Sequence, residues 1–109
     1  MDIGKKGENL AEEFLQQKGY AIVARNYRYK RSEIDLIVQK ENWLVFVEVK
    51  MRSSEAYGFP EESVHDAKRK KMLEGAAQYL AETNWQGNVR YDIIAIHKNE
   101  IEHFEDAFY

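Results

Sequence analysis

Asp35, Glu48 and Lys50 are the residues whose types and spacing invite chemistry. They lie within Glu33-Ile34-Asp35-Leu36-Ile37-Val38-Gln39-Lys40-Glu41-Asn42-Trp43-Leu44-Val45-Phe46-Val47-Glu48-Val49-Lys50-Met51-Arg52. Two runs rich in β-branched and aromatic residues flank a polar break at Glu41-Asn42, the pattern of a β-hairpin. With those two residues as the loop, Lys40 faces Trp43, Asp35 faces Glu48, and Glu33 faces Lys50. Side chains alternate between the faces of a strand. Ile34, Leu36 and Val38 therefore share one face with Val45, Val47 and Val49. Glu33, Asp35, Ile37 and Gln39 share the other with Leu44, Phe46, Glu48, Lys50 and Arg52. That second face is apolar at Ile37, Leu44 and Phe46 and ionic beyond them. Two central strands of a sheet covered on both faces, with charges gathered at one end, produce this pattern.

Directly opposed carboxylates stand with Cβ atoms roughly 5 Å apart and repel. The repulsion is stronger beside an apolar core than in water. A divalent cation between Asp35 and Glu48 reverses its sign, and hard oxygen ligands suit Mg²⁺ or Mn²⁺. The plain alternative is a solvated hairpin end carrying a Glu48–Lys50 surface pair.

Asp35 followed by Glu48-Val49-Lys50 after a hairpin resembles the PD-(D/E)xK nuclease superfamily, whose members include restriction-type and Holliday-junction-resolvase-type enzymes. The fuller pattern resembles one branch, the small bacterial YraN-like proteins. It comprises Gly4-Lys5-Lys6-Gly7-Glu8, Glu33-Ile34-Asp35-Leu36-Ile37, Val45-Phe46-Val47-Glu48-Val49-Lys50-x-Arg52, Gly58-Phe59-Pro60 and Arg90-Tyr91-Asp92-Ile93, spread over nearly the whole chain. The resemblance implies a restriction-endonuclease-like core and metal-dependent hydrolysis of DNA phosphodiesters, branched or structured DNA included. Asp35, Glu48 and the main-chain carbonyl of Val49 would hold Mg²⁺ or Mn²⁺, and Lys50 would act on the water or the transition state. Glu8, on the first helix, occupies the place of a further acid beside the metal; Glu33 completes the acidic candidates. A resolvase needs two active sites, which implies a homodimer. Ile34 stands where the superfamily pattern has proline, and Ser32 where YraN-like proteins usually have glycine.

The elements that must position these residues follow from periodicity. Gly7, Leu10, Ala11, Phe14 and Leu15 form an apolar stripe that predicts a helix over 4–18, with Lys18 near its end and Gly19 as the residue that stops it. Glu8 lies at the edge of that stripe, open to solvent or to the sheet. Residues 20–29 read as a strand with Tyr20, Ile22 and Ala24 on one face. Arg25, Arg28, Lys30 and Arg31 are interleaved with Tyr27 and Tyr29. They read either as a solvated turn or as an edge that grips phosphates, with tyrosines that stack on unpaired bases. Residues 53–62 connect to a long helix over 64–82, with Ser63 as N-cap. Of its cations, Lys68 and Lys71 share one side and are the better phosphate candidates; Arg52 joins them. Strands follow at 89–97 and 101–104. Asp92 reads as a structural acid paired with an arginine, His65, His97 and His103 as non-catalytic, and the acidic tail as docked or frayed.

The 109 residues suffice for one domain, 1–109, with one core. Helix, three strands, helix and two strands make an α/β fold, a mixed central β-sheet flanked by helices. Cysteine is absent, which excludes disulfides and cysteine-ligated zinc. No apolar run approaches the roughly 20 residues that span a bilayer, and no apolar signal core opens the chain, so the expectation is a cytoplasmic protein with no membrane contact. A net charge of −3 argues against non-specific coating of nucleic acid but not against a basic rim around an acidic centre. Two other readings compete: a nucleic-acid-binding module that keeps the nuclease fold without its activity, and a protein-interaction domain using the acidic tail.

Overall fold

The computed structural model describes residues 3–52 and 66–107, with side chains for 6–51 and 69–107. Helix α1 (Ile3–Gln17) forms over the apolar stripe and buries Ala11 and Leu15 completely. Gly19, at φ 98°, stops it. The Gly19 N–H donates to Gln16 O and the Tyr20 N–H to Leu15 O, both at 3.0 Å, the paired bonds of a Schellman cap. The helix thus ends one residue earlier than the stripe suggested, and Lys18 belongs to the cap.

Five strands form one sheet in the order β1 (Ala21–Tyr29), β2 (Ser32–Lys40), β3 (Trp43–Arg52), β4 (Asn88–His97) and β5 (Glu100–Phe104). Neighbours are antiparallel except β3 and β4, whose parallel pairing is permitted by the crossover through α2 (Asp66–Thr83). The α/β class and the mixed sheet are as the sequence indicates, consistent with a nuclease-like core. Among the described residues no helix is long and apolar enough to cross a membrane.

The sheet is covered on both faces. Ala11, Leu15, Tyr20, Leu36, Val38, Val45, Val47, Ile94 and Ile96 fill the α1 side. Ile34, Ile37, Leu44, Phe46, Met72, Ala76, Ile93 and Ala107 fill the α2 side. The tail docks, with the Ala107 N–H donating to Tyr91 O at 2.8 Å.

The hairpin register is as read, Lys40 against Trp43 through Leu36 against Val47, with Glu41 at φ 55° in the turn. Two strand faces differ from strict alternation. A bulge between Ile22 and Ala24 sends Tyr20 and Ile22 to the α1 side but Ala24 to the α2 side. Ile34 packs on the α2 side with Ile37, not with Leu36 and Val38. Bonded pairing of β2 with β3 stops at Leu36–Val47, so the strand is free to turn over at Asp35. The expected facings of Asp35 with Glu48 and of Glu33 with Lys50 do not form, because the pairing of β2 with β3 ends at Leu36 and Val47. In the strand register Glu33 is paired only with Arg28 of β1, and Lys50 only with Ala95 of β4. The connection 53–62, the Ser63 cap, His65 and the side chains of Arg52 and Lys68 lie outside what is described.

Candidate functional site

Asp35 sits where β2 leaves β3. Its carboxylate takes over the ladder: Oδ2 accepts the Val49 N–H at 2.8 Å, one residue beyond Glu48. The strand irregularity therefore turns a side chain into the plane where a backbone carbonyl would otherwise lie. Val49 meets Asp35 through its N–H, whereas the resemblance implied a role for its carbonyl.

Glu48 is buried on β3, and its Oε1 lies 3.3 Å from Lys50 Nζ. Both point to the same face, as spacing of two in a strand requires. This is not the solvated surface pair of the plain reading, because both side chains are largely shielded. Glu8 comes from the other side. Gly7 lets α1 lie against β3: an added Cβ there would meet Met51 Sδ at 2.7 Å. That close approach brings the first turns of the helix to the Lys50 end of the sheet.

The electrostatics register this convergence. Burial pushes the Asp35 carboxyl up from 3.8 to about 6, opposed by the Val49 N–H and reinforced by the charges of Glu48, Glu8 and Glu33. The three glutamates singled out in the sequence thus all act on Asp35. Glu33 is the outer member, its Oε2 2.7 Å from Arg28 Nε. Among the described residues no three acids or histidines are already arranged to hold a metal ion. The donor set still suits Mg²⁺, which is usually held by one or two carboxylates and keeps several waters.

The cations divide into two groups. Arg25 is bound by Glu12 of α1, with Nε 3.0 Å from each carboxylate oxygen, and Arg28 is bound by Glu33. Lys30, Arg31, Lys70 and Lys71 instead line a cavity of about 400 Å³ between the β1–β2 turn and α2, together with Tyr29, Ser32 and Glu74. Among the described residues none of these four cations has an ion-pair partner. Lys70 was not singled out from sequence. Consecutive helical cations fan around the axis, and only the docking of the turn selects Lys70 and Lys71.

On β4, beside Val47 and one position before the residue that faces Glu48, Asp92 is fully buried. Arg90 grips it with Nε–Oδ1 and Nη2–Oδ2 distances of 2.9 Å, and Arg90 Nη2 also donates to Tyr20 OH at 2.6 Å. His103 Nε2 lies 2.6 Å from Asp92 Oδ2, and the Asp106 N–H donates to Oδ1. Lys18 Nζ reaches His103 Nδ1 at 2.8 Å. An ammonium only donates, so Nδ1 accepts and Nε2 carries the proton toward Asp92. Burial alone would raise the Asp92 carboxyl, but the bonds from His103, Arg90 and Asp106 outweigh it and hold it below its ordinary value. Asp92 is the arginine-paired structural acid that the sequence indicated.

Comparison with known proteins gives the family. The profile of the uncharacterised protein family UPF0102 matches residues 7–96. A UPF0102 protein of Flavobacterium psychrophilum is 47% identical over 99% of this chain and 94% of its own length. One from Thermodesulfovibrio yellowstonii is 41% identical over 100% and 97%. Matches of this extent, over the residues that carry the acids, the lysine and the buried arginine pair, place the chain in the UPF0102 family, the YraN family.

Proposed function

We propose that the protein is a metal-dependent nuclease that hydrolyses DNA phosphodiesters, with branched or structured DNA among its substrates. The observation that carries this reading is the gathering of Asp35, Glu48 and Lys50 where β2 leaves β3, with Asp35 pushed up to about 6 by burial first and then by the charges of Glu48, Glu8 and Glu33. Repulsion between acids at the end of a core is a cost that a bound cation removes. Asp35 and Glu48 are the residues to hold Mg²⁺ or Mn²⁺, with Val49 beside them. A bound metal of this kind polarises the phosphate and lowers the pKa of its water. Lys50 shares the face of Glu48 and offsets charge that builds on the phosphoryl oxygens. The basic cavity holds the strand. A homodimer supplies two such sites for a branched substrate, and action on DNA places the protein in the cytoplasm.

One observation favours a second reading. Lys50 pairs with Glu48, and the Val49 N–H donates to Asp35, so both acids already have protein partners. A binding module that retains the fold has the same arrangement. The test is Mg²⁺- or Mn²⁺-dependent cleavage of linear, single-stranded and four-way DNA by the wild type and Lys50→Met. Methionine keeps most of the stem and removes the charge. Cleavage is expected to fall by about 100-fold or more, as for loss of a group aimed at transition-state charge, with DNA binding modestly reduced. Binding without cleavage of any DNA by the wild type selects the binding module.

A further inference from the structure

The cavity between the β1–β2 turn and α2 is a shallow, half-open depression in a basic face. It is a recess of about 400 Å³, and a second of similar volume adjoins it, sharing Tyr29, Lys30 and Glu74 and extending past Ala77 and Gln78. A continuous groove thus runs along α2. Its mouth carries Lys30, Arg31, Lys70 and Lys71 against the single acid Glu74. Its floor includes Ser32, a buried residue whose hydroxyl has no hydrogen-bond partner among the described residues. A buried hydroxyl left unpaired costs about 1–3 kcal/mol, and one χ1 rotation turns it toward an incoming acceptor.

We propose that this recess receives one unpaired nucleotide of a DNA strand, with its phosphate on the four cations and its base on Tyr29. Lys30 Nζ now lies over the Tyr29 ring, 5.3 Å from its centroid. Stacking of a base on an aromatic ring is worth more than an exposed cation–π contact. A base therefore displaces the lysine from the ring, and the ammonium is released to the phosphate. A paired base offers no free face, so a blunt duplex meets only the cations. Ser32 and Asp35 are separated along β2 by about 10 Å at the usual strand rise. The nucleotide held in the recess lies that far from the acids. The inference rests on the reading that the protein acts on DNA and deepens it: the substrate class is DNA with an unpaired nucleotide near the cut.

The test measures binding, not cleavage. Fluorescence anisotropy in EDTA at low salt compares a blunt duplex with the same duplex bearing a single-stranded arm. The armed duplex is expected to bind about tenfold more tightly, the equivalent of one stacked base. Tyr29→Phe is expected to keep that preference and Tyr29→Ser to lose it. Lys70→Gln with Lys71→Gln, both exposed on the helix, is expected to weaken both duplexes and flatten the salt dependence. Equal affinity for the two duplexes overturns this inference and leaves the DNA reading standing. Absence of binding to either overturns both. Loss of the preference in Tyr29→Phe as well as Tyr29→Ser also overturns the stacking role.

Discussion

Asp35 does two things that pull against each other. Its carboxylate supplies the acceptor that Val49 needs, and it carries a charge that the site opposes. Its carboxyl is raised in the folded protein, from 3.8 to about 6. Between those values the folded state binds the proton that the unfolded state has lost, so stability falls as pH rises through that window. Above about 6 the full penalty is present; below 3.8 it is gone. Asp35→Asn keeps an oxygen for the Val49 N–H and removes the charge. In EDTA at pH 7 the variant is expected to be more stable than the wild type by about 1–3 kcal/mol, with the gap closing as the pH falls below 4. Urea melts across that range measure it, and a variant less stable at neutral pH would show that the charge is already compensated. Asp92 has the opposite sign. Its carboxyl is held down by His103 and Arg90, so its contribution persists at neutral pH and is lost only in acid. The types of both residues were legible in the sequence. Their opposite behaviour was not, because it depends on which donors the folded chain brings to each.

The elements were legible from periodicity, and the exceptions have separate causes. The α1 stripe and the hairpin register from Leu36 to Val47 emerged from spacing and alternation. The bulge in β1 falls in Ile22-Val23-Ala24, three apolar residues in a row. Nothing in such a run tells which face each residue takes. The turnover in β2 falls at Ile34-Asp35-Leu36, where apolar and polar residues do alternate; there the alternation misleads, because Asp35 turns to accept the Val49 N–H. The contact of α2 with β2 was hidden for another reason: it depends on a glycine whose neighbour comes from far along the chain. Gly75 lies over Ser32, and an added Cβ would overlap the Ser32 hydroxyl and lie 3.2 Å from its Cβ. Both residues are buried, so neither yields easily. Gly75→Ala is expected to cost about 1–3 kcal/mol by overpacking. Combining it with Ser32→Ala removes the worse of the two clashes. The pair is expected to be clearly less destabilised than the sum of the single variants, a coupling that a double-mutant cycle of denaturant melts reads directly. Additive effects would mean that α2 shifts as a body instead.

At the scale of the molecule two neighbouring charged groups of the sheet hold charge differently. One is the Arg90–Asp92–His103 network, in which each charge has a partner and Asp106 and Ala107 are tied to β4. The other gathers acids from α1, β2 and β3 around Asp35, with a groove whose cations have no ion-pair partner among the described residues nearby along β2. A stable domain has reason to neutralise the second group as it has the first, and binding a divalent cation would do so. Mg²⁺ at ten times its dissociation constant stabilises the folded state by about 1.4 kcal/mol through linkage. For a domain of this size that raises the melting temperature by roughly 4–8 °C. Asp35→Asn with Glu48→Gln is expected to abolish that rise while melting higher than the wild type in EDTA, since repulsion and ligands are removed together. Differential scanning fluorimetry with and without Mg²⁺ or Mn²⁺ measures both effects. A metal-dependent rise that survives in the double variant locates the cation elsewhere. A double variant that melts lower than the wild type in EDTA shows that the acids around Asp35 are held by partners as firmly as Asp92 is, and the charge balance of the site then favours binding over cleavage.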